Sequence, residues 1–166
     1  FDILKEVISE LSEELSKEIS TLDKHVEVKY FDKGEFEIQL KFSGDTLIFH
    51  MHTNTFSFDK SHQIWKSSYV KEDEYRAYCG VINIYNFLSD SFKYNRINDL
   101  GFMIGRLYIN KEKHFFTEGN GRMSFLYNNF HNDILDKKVL KNIVNELMLY
   151  AMLKTHYLHL SSIYYQ

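Results

Sequence analysis

Leu4, Ile8, Leu11, Leu15, Ile19 and Leu22 recur at intervals of three and four residues. That spacing stacks side chains on one face of an α-helix and predicts one from Phe1 to Leu22. Ile3 and Val7 widen the stripe. The remaining positions are Ser, Glu and Lys, and Asp2, Glu6, Glu10, Glu13, Glu14, Glu18 and Asp23 outnumber Lys5, Lys17 and Lys24. The period then changes from helical to alternating. Val26 to Tyr30 alternates, Asp32-Lys33-Gly34 supplies a turn with a residue able to take positive φ, and Phe36, Ile38, Leu40 and Phe42 alternate with Glu35, Glu37, Gln39 and Lys41. One apolar and one wet face marks an antiparallel strand, because strands covered on both sides read as continuous apolar runs. Ser43-Gly44-Asp45 turns the chain into a third strand, expected from Thr46 to Phe58 and completing a meander.

Beyond Asp59 the pattern weakens. Asp59 to Ser68 reads as loop pinned by Ile64 and Trp65, and Tyr69 to Cys79 as a short helix with Tyr69, Tyr75 and Tyr78 on one side. Val81 to Tyr85 suits a strand or the start of a helix reaching Phe92, since periodicity does not separate the two over so short a run. Phe102 to Ile109 is strand-like, as is His114 to Thr117, with Gly119-Asn120-Gly121 as a hairpin turn into a last strand from Ser124 to Phe130. Asp133 or Asp136 caps a second long helix, whose buried stripe is Val139, Leu140, Ile143, Val144, Leu147, Ala151 and Leu153. Tyr157 to Gln166 alternates weakly and reads as an edge strand or a short helix.

The fold class that follows is α+β: an antiparallel sheet of about five to seven strands with an N-terminal and a C-terminal amphipathic helix packed on it. A single domain spans residues 1–166. In topology alone this order resembles small sensory domains and secretion-chaperone-like folds.

Composition narrows the partners. Apolar residues make up 44% and charged residues 26%, as in globular chains. A net charge of -3 gives no basic footprint for duplex nucleic acid. No apolar run approaches the ~18–20 residues of a membrane span, so no membrane partner is expected. Cys79 is the only cysteine, so no internal disulfide forms, a cytoplasmic location is expected, and the residue reads as a small buried hydrophobe. Proline is absent and Ala rare while Asn, Lys, Ile, Tyr and Phe abound; codon bias in an AT-rich genome accounts for this most simply.

Candidate chemistry is sparse. His50 and His52 would project from one face of a strand about 6.6 Å apart, a pair that suits a metal if His62 or His114 supplies a third ligand. Gly119-Asn120-Gly121-Arg122 offers backbone N–H groups and a guanidinium to an anion but lacks the lysine of a phosphate loop. Asp32 with Gln39-Leu40-Lys41 is the nearest approach to a nuclease carboxylate–lysine set, without its spacing. Arg106 is the most informative residue. It alternates with Ile104 and Tyr108, and in so apolar a strand it needs a partner such as Asp99 or Glu118 if it is buried. Otherwise it is an exposed arginine on an edge strand.

No catalytic constellation stands out and no cofactor is implied. The leading expectation is a non-enzymatic binding or sensory module for a protein partner or a small anionic ligand. The rival is an enzyme acting on an anionic substrate through Arg106, Glu118, Arg122 and His114. A third is a homodimer joined through residues 1–22.

Overall fold

The computed structural model describes residues 1–22 and 26–164. Helix α1 (Asp2–Leu22) leads into strands β1 (Val28–Asp32), β2 (Glu37–Phe42) and β3 (Asp45–Met51). A short β4 (Phe56–Ser57), a 3₁₀ turn at Gln63–Lys66, α2 (Ser68–Glu72) and a second 3₁₀ turn at Glu74–Ala77 follow. The long β5 (Tyr78–Leu88), α3 (Ser89–Lys93), β6 (Phe102–Asn110), β7 (Phe115–Gly119) and α4 (Lys137–Tyr164) complete the chain. The strands run antiparallel in the order β1-β2-β3-β5-β6-β7, with β4 paired to the start of β5. Two turns fix the first register. Gly34 takes φ 114 between β1 and β2, and Ser43 takes φ 50 in the two-residue Ser43-Gly44 link that pairs Phe42 with Asp45.

Both long helices lie on the same face of the sheet. Leu4, Val7, Ile8 and Leu11 of α1 share one core with Leu140, Ile143, Val144 and Leu147 of α4 and with Ile38, Leu40, Phe49, Ile84 and Leu107 from the strands. Each such side chain contributes about 1.5–3 kcal/mol through burial. The stripe of α1 is therefore covered by the chain's own sheet and helix from Leu4 to Leu11, with Leu15 and Ile19 partly buried against the same core. Lys137 and Lys141 reach Glu6 and Glu14 across the helix pair. These exposed bridges add little stability but match the acidic surface of α1. Asp136 caps α4, its Oδ1 accepting from the Val139 N–H at 2.7 Å.

The opposite face carries a second core. After Met51 the chain crosses that face, and Phe58, Ile64, Tyr69, Val70 and Ala77 pack on Cys79, Val81, Tyr108 and Phe130. Burial pushes the Cys79 thiol up to about 12, so it remains a protonated, inert side chain.

Several sequence expectations change here. The third strand ends at Met51; the His52 N–H still donates to the Val81 carbonyl at 2.8 Å, and Thr53-Asn54-Thr55 then leave the sheet before Phe56. The helix expected from Tyr69 to Cys79 is only α2 and a 3₁₀ turn; Tyr69 is buried but Tyr75 is 73% exposed, and Tyr78 and Cys79 already belong to β5. No strand forms at Ser124–Phe130. Gly121 takes φ 61 and opens a 3₁₀ turn at Gly121–Ser124, so the expected hairpin is absent. Leu153 is exposed, and Met148 completes the α4 stripe in its place. The C-terminal segment continues α4 to Tyr164 instead of forming an edge strand. Asp23 and Lys24, counted with the first helix, and Tyr165 and Gln166 lie outside the described residues.

One polar group under α4 yields a pH prediction. Asp45 is 3% exposed and accepts hydrogen bonds from Asn86 Nδ2 (3.1 Å) and Thr155 Oγ1 (2.6 Å), while Asn86 Oδ1 has no partner. Burial raises the Asp45 pKa despite those two donors. A carboxyl with a raised folded pKa stabilises the fold fully below its unfolded value of about 3.9, and that contribution fades as pH rises through the folded pKa. Asp45→Asn removes the charge and offers an amide N–H to Asn86 Oδ1. The variant should therefore gain about 1–2 kcal/mol over the parent near pH 7. The gain should shrink as pH falls toward 4, read from urea titrations across that range; a variant less stable than the parent at pH 7 refutes the reading.

Candidate functional site

The outer face of the sheet, opposite the two long helices, carries a polar row across five strands. Glu37 on β2 pairs with His50 on β3, His50 with Asn83 on β5, Asn83 with Arg106 on β6, and Arg106 with Glu118 on β7. Side chains alternate along each strand, and the neighbours Ile38, Phe49, Ile82, Ile84 and Leu107 all belong to the helix-covered core. Arg106 Nε donates to Asn83 Oδ1 at 3.3 Å, and its Nη1 stands 3.9 Å from Glu118 Oε2. The Tyr108 hydroxyl donates to that same carboxylate oxygen at 2.9 Å. Burial, followed by the Glu118 carboxylate, pushes the Tyr108 phenol up to about 12. Arg106 is thus a half-exposed arginine on an interior strand between β5 and β7, not on an edge strand.

A wall of rings borders the row. Tyr108 stacks on Phe116 at 4.6 Å and 9°, and Phe58 packs against both at 5.5 Å. Two clefts open on this face. The smaller, about 310 Å³, is lined by Arg106, His52, Asn54, Thr55 and Asn83 over Phe56, Val81 and Tyr108. The larger, about 650 Å³, receives Glu118, with His62, Phe116, Phe130 and His131 among its walls. The arginine and its acidic partner therefore face separate cavities.

The smaller cleft presents hydrogen-bond donors. His52 Nδ1 accepts from the Asn54 N–H at 3.1 Å, which leaves the proton of a neutral imidazole on Nε2. Asn83 Oδ1 is taken by Arg106, so its amide N–H groups are what it offers. Thr55 supplies a hydroxyl, the Tyr108 O–H is already given to Glu118, and no carboxylate lines the cavity. Such a lining has the groups to donate hydrogen bonds to a negatively charged group over an apolar floor.

The other candidates separate from this site. Arg122, after β7, bonds Glu146 of α4 at 3.0 Å. His114 stacks on Tyr69 at 4.4 Å and its Nδ1 lies 2.9 Å from the Phe130 carbonyl. His62 Nδ1 accepts from the Ile64 N–H, and its ring stacks on Phe58. His50 sits in the polar row and His52 beyond the end of β3. Among the described residues no group of three or more His, Cys, Asp or Glu converges as metal ligands. Asp32 is held by Lys5 at 2.9 Å, and Asp99 by Ser91 and Arg96. Asn83, Thr55 and Phe56 went unnoticed in the sequence. Of these only Asn83 left a signal, as the polar intruder in Val81-Ile82-Asn83-Ile84.

No family model matches the chain, and no curated protein and no solved structure is similar to it. Among the described residues no helix is long and apolar enough to cross a membrane.

Proposed function

We propose that the chain is a non-enzymatic binding module that captures a small organic anion in the cleft beside Arg106. The observation that carries this reading is a cavity lined by a guanidinium, an imidazole N–H, amides and the Thr55 hydroxyl, over an aromatic floor and without a carboxylate. These groups donate hydrogen bonds and fix orientation; that is the chemistry of recognition. Glu118 beside Arg106 preorganises the guanidinium and competes mildly with an incoming anion.

The test is a calorimetric screen of carboxylates and phosphate esters carrying an aromatic or branched apolar group. Arg106→Ala should weaken the best of them by about 1.5–3 kcal/mol, the worth of hydrogen bonds to a charged group. Arg122→Ala should leave binding unchanged, because that side chain is committed to Glu146. Glu118→Gln should tighten binding severalfold by removing the competing charge while keeping an acceptor for Tyr108. Anion binding indifferent to Arg106→Ala, or steady-state turnover of a bound ester, would sink the proposal.

A further inference from the structure

Between the end of β5 and the start of β6 the chain turns apolar side chains toward solvent. Ile97 is 86% and Leu100 80% exposed, and Leu88, Phe92, Tyr94 and Phe102 are each more than 40% exposed. Loops usually present polar groups, and a run of large apolar side chains this open marks an interaction surface. Cations frame it. Lys93 and Arg96 stand 5.0 and 5.4 Å from the Tyr94 ring, and Lys154 of α4 lies 4.4 Å over Phe102. Of the carboxylates nearby, Asp99 binds the Ser91 hydroxyl at 2.7 Å and faces Arg96 at 3.9 Å, and Asp90 is the other. Lys93, Arg96 and Lys154 against these two leave the patch a net positive charge on a chain whose net charge is -3.

We propose that this surface docks an acidic segment of a partner protein, one with an apolar stripe flanked by carboxylates. The apolar residues supply burial, and Lys93, Arg96 and Lys154 select the sign of the partner. A lipid surface is the rival occupant, and the vesicle measurement below separates it from a peptide. A second copy docked patch to patch would set like charges against each other. The proposal is independent of the ligand cleft and stands or falls separately from it.

The experiment uses the full chain and two synthetic helical peptides sharing one Leu/Phe stripe, one flanked by Glu and one by Lys, read by fluorescence anisotropy. The Glu peptide should bind, and the Lys peptide at least about tenfold more weakly, with added salt narrowing the difference. Ile97→Asp with Leu100→Asp should abolish binding, and both sites are open enough that the melting curve should superimpose on the parent's. Lys93→Glu with Arg96→Glu should reverse the preference, a result that loss of folding does not produce. Equal binding of the two peptides, or of neither, overturns the proposal. So does co-sedimentation with phosphatidylcholine/phosphatidylserine vesicles that is lost in the double aspartate variant, which assigns the patch to lipid. A monomer–dimer equilibrium abolished by that same variant assigns it to a second copy and overturns the proposal too.

Discussion

Phe49→Ala is expected to lower stability by about 3–5 kcal/mol, the usual cost of removing a large buried ring. Phe49 is 1% exposed at the middle of β3, paired with Ile38 on one side and Ile84 on the other. It packs in the core that joins the sheet to α1 and α4, and backbone ladders on both flanks prevent collapse around the missing ring. A domain of this size has only about 5–15 kcal/mol of stability in total, so the variant should unfold at low denaturant. Phe49→Leu keeps most of the volume and should cost under about 1.5 kcal/mol. Phe31→Ala, at a 40% exposed ring, should stay within about 0.5 kcal/mol of the parent. Equilibrium urea unfolding of the three proteins checks the order; a Phe49→Ala midpoint within error of the parent's would show that the sheet face is misassigned.

That sheet face was legible because Ile38, Leu40 and Phe42 alternate without interruption, and a strand's period of two admits no other assignment. Both long helices were legible for the same kind of reason: a stripe at three- and four-residue spacing needs a surface to lie on. Which face of the sheet receives them was not. The third strand was drawn too long. Phe56 and Phe58 are one residue out of phase with the buried Leu47 and Phe49, and that break in alternation marks the Thr53-Asn54-Thr55 stretch where the chain leaves the sheet. The contents of 69–92 were hidden by their aromatics, since Tyr75 and Tyr78 look like core but stand open to water.

The candidate site was legible only in fragments. The Ser43-Gly44-Asp45 turn was legible but its register was not: the link is two residues, Asp45 pairs with Phe42, and that sets Glu37 opposite His50 where a three-residue turn would give Met51. Glu118 was one of two partners foreseen for Arg106, with Asp99; its place opposite depends on Ile109 pairing with Phe115, one residue further than the Asn110–Lys113 link suggests. Asn83 opposite Arg106 was not foreseeable, because α3 and its loop intervene and the register shifts at Ile84/Tyr85, so that counting back along the strands gives the wrong partner. Arg122 and His114 left the site for reasons the sequence does not carry. After β7 the chain turns toward α4 and takes Arg122 to Glu146, whereas His114, just before β7, is held by the Tyr69 ring and the Phe130 carbonyl.

Gly119→Ala tests the joint that brings the polar row together. Gly119 on β7 is paired with Gly105 on β6, one residue from Glu118 and Arg106 respectively. A Cβ at Gly119 would lie 2.5 Å from the Ile104 carbonyl oxygen and 2.9 Å from Gly105 Cα. Both are backbone atoms of the facing strand, so no rotamer change relieves the clash, and either β7 moves away or its ladder opens. Overpacking against backbone costs about 1–3 kcal/mol and at times more. Gly119→Ala should sit at or above the top of that range, because the displaced strand also carries the fully buried Phe115. Gly80→Ala is the control, with its nearest contact an ordinary 3.9 Å from the Ile109 carbonyl oxygen. The functional consequence follows from the register. Pulling β7 from β6 separates Glu118 from both Arg106 and Tyr108, so anion binding should respond even at temperatures where the variant remains folded. Thermal denaturation together with calorimetry on one ligand reads both effects. A variant as stable as the parent, with unchanged affinity, would mean that the Gly105–Gly119 approach does not hold the Arg106–Glu118 pair in place.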